Sequence, residues 1–276
     1  MDRIRAQVRA HPVAFFVGLT LVLSWAGWLP GALTARGWVP SIFPDLAVLG
    51  GIGPAVAAVT VSAVTEGRSS VGQLFRPLLW GRASPLWYAL VPGLWMVVAT
   101  LAAAAVSAAP FPERLVVWFA WPAFLFWFVG SCVANVWEEI GWRGFALPRL
   151  AERWGDLLAS VWLGLVGFVW HLPLLLDPRS SMSQLPWPLQ AVFLVGMAVL
   201  LTWVYRGTRG SLVFVTAFHA LSNAVALGMV HASLFVSSYP VVVGSVGVSA
   251  VLVVLRYGHW RFGASGKAVR SVEEGS

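Results

Sequence analysis

Eight apolar runs, each close to the length that crosses a bilayer, leave this chain few folds to choose from. They fall at about 13–35, 46–64, 87–109, 118–140 or beyond, 156–176, 188–205, 211–231 and 239–255. A spanning helix needs about 20 mostly apolar residues, and in lipid the backbone must satisfy its own hydrogen bonds. The expected fold is therefore all-α, a polytopic membrane helix bundle of about eight transmembrane helices. Of the 276 residues, 59% are hydrophobic and 11% charged, against roughly a quarter charged in a soluble domain. Seventeen Trp and sixteen Phe suit aromatic belts at two lipid–water interfaces. No connection is long enough for a soluble domain, so residues 1–262 read as one transmembrane domain. Residues 263–276, small, polar and charged, read as a disordered cytoplasmic tail.

The net charge of +7 is a statement about topology, and no nucleic-acid partner is expected. Arg3, Arg5 and Arg9 precede the first run, and Arg68, Arg76 and Arg82 follow the second. Arg149 and Arg153 follow the fourth, Arg206 and Arg209 the sixth, and Arg256, Arg261, Lys267 and Arg270 the eighth. The opposite connections hold Arg36, Arg114 and Arg179. This bias places both termini in the cytoplasm of a multi-pass protein of the cell membrane. Residues 1–12 resemble the basic start of a signal peptide, but the run Val13–Ala35 is too long for one and reads as a retained span. Between the second and third runs, Val71, Leu74, Phe75, Leu78 and Leu79 recur at helical spacing, which fits a short interfacial helix or an ordinary loop, with Pro77 set to shorten it. Cys132 is the single cysteine, so neither an internal disulfide nor a cysteine metal site is available.

Nine of the eleven acids, Asp156 at the edge of the fifth run among them, are read as loop or tail residues. Glu138 and Glu139 instead follow the apolar stretch Phe124–Trp137, which only Ser131 and Asn135 interrupt. An ionisable group at membrane depth costs several kcal/mol unless it faces a wet cavity or a partner. Adjacent carboxylates also repel, and such a pair supplies a candidate general base. Glu139 and Arg143 stand i, i+4 and can pair along one helix face, whereas Glu138 lies about 100° around the helix and is freer to face a cavity.

Two other runs carry polar groups. His171 stands four residues after Gly167 and seven after Gly164, on a face where small residues let a neighbouring helix approach. Thr216, His219, Ser222 and Asn223 make a stripe at i, i+3, i+6 and i+7. At about 1.5 Å per residue, His171 lies roughly 20 Å and His219 roughly 13 Å along their spans. Glu138 reaches a matching depth only if its helix continues through Arg143 towards Pro148, so that continuation is predicted.

The residues Glu138-Glu139-Ile140-Gly141-Trp142-Arg143 match the EExxxR motif of the CAAX-protease and bacteriocin-processing (CPBP, Abi-type) intramembrane proteases. His171 takes the place of the second motif's histidine, and His219-Ala220-Leu221-Ser222-Asn223 matches the third motif, HxxxN. The ordered set resembles that family over roughly residues 115–230. One departure is Gly167, where the second motif usually has an aromatic residue four positions before its histidine. The resemblance implies a glutamate-dependent endopeptidase that needs no cofactor. By that likeness, Glu138 and His171 position and activate water, His219 and Asn223 stabilise the oxyanion, and Glu139 and Arg143 orient the site. The partners it implies are a peptide or membrane-protein substrate, lipidated or not, and the lipid bilayer.

Other readings use the same residues. Glu139, His171 and His219 could form a catalytic zinc set, although the HExxH signature is absent. The cavity could instead bind a partner without cleaving it, as a membrane scaffold or a bacteriocin self-immunity protein. A transporter would use buried acids for proton coupling, but no inverted repeat or matched pair of broken spans is visible.

Overall fold

The computed structural model describes residues 2–40, 47–79, 83–106 and 121–262, and these contain helices and turns but no strand. The predicted tail at 263–276 lies outside the described residues, as do parts of the runs around 46, 107–109 and 118–120. In chain order the helices are α1 (Asp2–Ala10), α2 (Pro12–Ala35), α3 (Ala47–Thr65), α4 (Arg68–Phe75), α5 (Pro85–Val106), α6 (Trp121–Glu139), α7 (Leu147–Trp170), α8 (Leu172–Leu176), α9 (Trp187–Gly207), α10 (Leu212–His231) and α11 (Phe235–Tyr257).

Among the described residues six helices are long and apolar enough to cross a membrane, and the architecture is the expected all-α polytopic bundle. The fourth run continues as helix to Trp154, non-helical backbone at Gly155 separates it from the fifth, and the second is the shorter apolar helix Leu49–Thr65. Proline inside α2, α3, α5 and α11 (Pro30, Pro54, Pro92 and Pro240) is tolerated because neighbouring helices support the freed backbone groups.

The predicted continuation of the glutamate-bearing helix is present in a different form. α6 passes without a break into a π-helical segment, Ile140–Ala146, and then into α7. The Leu147 N–H reaches back five residues to the Trp142 carbonyl, the widened turn that defines this geometry and often marks functional sites. Two glycines lie in the segment. A Cβ at Gly141 would stand 2.6 Å from the Cβ and 2.7 Å from the carbonyl oxygen of Pro54, so α3 can approach only a glycine there.

α7 turns sharply at Gly155, whose φ of 74° is one that favours glycine. The donors freed by the turn find partners in the C-terminal segment. The N–H of Asp156 donates to the Trp260 carbonyl at 2.9 Å and that of Leu157 to His259 at 3.0 Å. Asp156 is therefore not the loop acid that the sequence suggested. It is fully buried, receives a two-pronged hydrogen bond from Arg206 and accepts from the Phe262 N–H at 2.8 Å.

Of the helix and the loop that the sequence allowed after the second run, the helix is present as α4, which shortens into a 3-10 turn, Arg76–Leu78, at Pro77. Leu74 is buried while Leu79 is exposed. The α6 helix packs between α3 and α10, while α7 packs against α9 and α9 in turn against α11.

Candidate active site

Glu139 is the most constrained of the predicted residues. It is fully buried at the junction of α6 and the π segment, and Arg143 lies 3.2 Å from its Oε2. The i, i+4 pairing read from the sequence is therefore formed. The other carboxylate oxygen accepts from Nδ1 of His219 at 2.7 Å, across 80 residues of sequence. One buried carboxylate thus links the first and third motifs. Isolated burial of such a charge would be prohibitive, and two charged or hydrogen-bonding partners offset it.

Glu138, the neighbouring residue, has a different setting. It is partly exposed in the wall of a cavity of about 660 Å³ whose lining also includes Arg143, His171, His219, Ser222 and Asn223. Glu139 is absent from that lining. The separation of the two acids around the helix therefore appears as a division between cavity wall and interior.

The histidine on α7 is fixed by its own helix end. His171 Nδ1 lies 2.7 Å from the Gly167 carbonyl. A carbonyl oxygen can only accept, so Nδ1 carries the proton and the lone pair is on Nε2. For His219 the Glu139 carboxylate likewise accepts a hydrogen bond from the Nδ1–H, leaving Nε2 for the cavity. Donation from that nitrogen to an oxyanion requires that it be protonated too.

The glycines before His171 separate into two roles. A Cβ at Gly164 would stand 2.5 Å from the Cα of Val195, so this glycine permits the close helix approach that was expected. Gly167 does not pack that way: a Cβ there would meet nothing within 4 Å, and the residue lines the cavity. Trp170 closes the wall, with its ring 4.7 Å from Trp28, 5.9 Å from Trp142 and 4.6 Å from His171 between centroids. These tryptophans were read as membrane-belt residues; the structure places these three around the site.

Asn223 donates from Nδ2 to Oδ1 of Asn135 at 3.2 Å. In sequence, Asn135 was only an interruption of an apolar stretch, although its i−3 and i−4 relation to the two glutamates was a usable signal. Thr216 is buried outside the cavity lining. A second polar pair, the Tyr239 hydroxyl donating to Gln190 Oε1, lines the same cavity, and nothing in the motif pattern pointed to it.

The residues proposed as a zinc set are not arranged as one. Among the described residues no group of three or more His, Cys, Asp or Glu has metal-holding geometry; Glu139 and His219 bind each other, while His171 is tied to Gly167. The arrangement can hold a water or a carbonyl between a cavity-facing carboxylate, an imidazole lone pair and amide or imidazole donors.

Residues 119–225 match the family model described as type II CAAX prenyl endopeptidase Rce1-like. A protein of Methanococcus maripaludis named CAAX prenyl protease 2 is 32% identical over 97 residues, which are 33% of this chain and 36% of that protein. The match thus spans about a third of that relative's length. The family-model match contains Glu138, Glu139, Arg143, His171, His219 and Asn223, and over residues 119–225 this chain is similar to the CAAX-protease family.

Proposed function

We propose that the protein is an intramembrane endopeptidase of the CAAX-protease type, acting on a membrane-associated or lipidated peptide through glutamate-activated water. The carrying observation is that three sequence motifs on α6, α7 and α10 meet at one cavity, with Glu138 on its wall and Glu139 behind it. Water bound between the Glu138 carboxylate and His171 Nε2 attacks the scissile carbonyl, and its proton passes to Glu138. The oxyanion accepts hydrogen bonds from His219 Nε2 and Asn223 Nδ2. Glu138 then returns the proton to the departing amine as the C–N bond breaks. Glu139 and Arg143 keep His219 in place. The transmembrane unit is residues 1–262, set in the cell membrane with both termini on the cytoplasmic side.

The cavity volume is within the range that holds a drug-sized ligand. Much of its wall is apolar, including Phe193, Met197, Leu201 and Val242. A short peptide bearing a lipid chain suits that mixture of surfaces. The prenyl group named in the relative from Methanococcus maripaludis makes a prenyl-cysteine peptide the first probe. A scaffold or self-immunity protein would bind through the same cavity without cleaving. The discriminating experiment is a substrate-trapping comparison of wild type and Glu138→Gln in native membranes. Peptides should accumulate intact on the variant and appear as fragments with wild type; identical peptide profiles would favour the binding role and end the protease reading.

A further inference from the structure

The mechanism above uses Asn223 but does not explain what aims it. A carboxamide rotates over a broad, roughly two-fold torsional surface, so an unheld Asn223 could turn either its N–H group or its oxygen towards a developing oxyanion. The wrong choice would repel the charge. Asn135 is the side chain that meets the Asn223 carboxamide. It is 1% exposed, projects from α6 one turn ahead of the glutamate pair, and takes one Asn223 N–H on its Oδ1 at 3.2 Å. Its own Nδ2 is buried and meets no acceptor among the described residues. An apolar residue would be less costly at this depth, and the hydrogen bonding that Asn135 does have runs through Asn223.

We propose that Asn135 is a positioning residue: it turns the Asn223 carboxamide so that the second N–H faces the cavity and its oxygen does not. Residues 135–143 would then present, on one continuous helical element, the water-activating acid, the carboxylate that holds His219, and the group that aims Asn223. This inference rests on the protease reading for its kinetic consequence, but its geometric content does not.

The test has two arms. With an internally quenched farnesyl-cysteine peptide, Asn135→Ala lowers kcat by about tenfold or more while KM stays within about twofold, because the lost interaction belongs to the transition state. Asn135→Ser, which keeps a small acceptor, recovers part of the loss. In an Asn223→Ala background, Asn135→Ala changes kcat by less than about twofold, since a residue acting only through another has nothing left to act on. Independent, additive losses would overturn the proposal, as would a loss confined to KM. The second arm needs no turnover: the side-chain amide resonances of selectively 15N-labelled Asn223 shift in Asn135→Ala and in the bulkier Asn135→Leu. Unmoved resonances in both variants would overturn the proposal by themselves. A wild type that cleaves nothing would defeat the protease reading and leave the spectroscopic arm to decide this one.

Discussion

Glu138 and Glu139 are chemically identical neighbours whose surroundings give them different consequences. Removing Arg143 would strand a fully buried carboxylate with only His219 as partner, a class of change that costs roughly 3–5 kcal/mol. Removing Glu138, on the cavity wall, strands nothing and should alter stability by no more than about 0.5 kcal/mol. Denaturant unfolding of purified Arg143→Ala and Glu138→Ala in detergent measures this contrast; equal destabilisation would contradict the division of roles. Half of the division was legible beforehand. The Glu139–Arg143 pair follows from helical spacing, and Glu138 follows from its angular offset. The His219 partner could not be read, because 80 residues separate it from Glu139 and no local rule carries pairing that far. Asn135 was missed for a related reason: an isolated amide in an apolar run has no partner visible until α6 and α10 are packed together.

The element joining the first motif to α7 owes its form to glycines with unequal jobs. A Cβ at Gly141 would fall 2.6 Å from Pro54, whereas one at Gly144 would come no closer than 3.5 Å, to Leu212 Cδ1. Gly141→Ala should therefore push α3 away from the π segment and lower both the melting temperature and any peptidase activity. Gly144→Ala should leave both near wild type, because its contacts are ordinary van der Waals ones. Melting of the two variants in detergent checks the asymmetry, and a tolerated Gly141→Ala would show that α3 is not held as described. Depth matching alone required the glutamate-bearing helix to continue past Ile140, so that feature was available from sequence. Its π geometry and the turn at Gly155 were not. Both depend on tertiary neighbours: the close approach of Pro54 to Gly141 in one case, the carbonyls of His259 and Trp260 that accept from the freed N–H groups in the other.

Across the whole molecule, apolar run length was sufficient to indicate a polytopic helix bundle, because lipid leaves a spanning backbone almost no alternative. Run length could not reveal that Asp156, at the edge of the fifth run, is fully buried against Arg206 and the Phe262 N–H. That feature belongs to the assembled bundle, which also creates the cavity from α6, α7 and α10. The chemistry of that cavity is the central claim. Its most direct measurement is turnover of an internally quenched farnesyl-cysteine peptide by purified wild type and Glu138→Ala. Cleavage by wild type and a loss of at least about 100-fold in kcat for the variant are expected, the general base itself being worth roughly 10²–10⁴-fold. Equal cleavage by the two proteins would contradict the central claim.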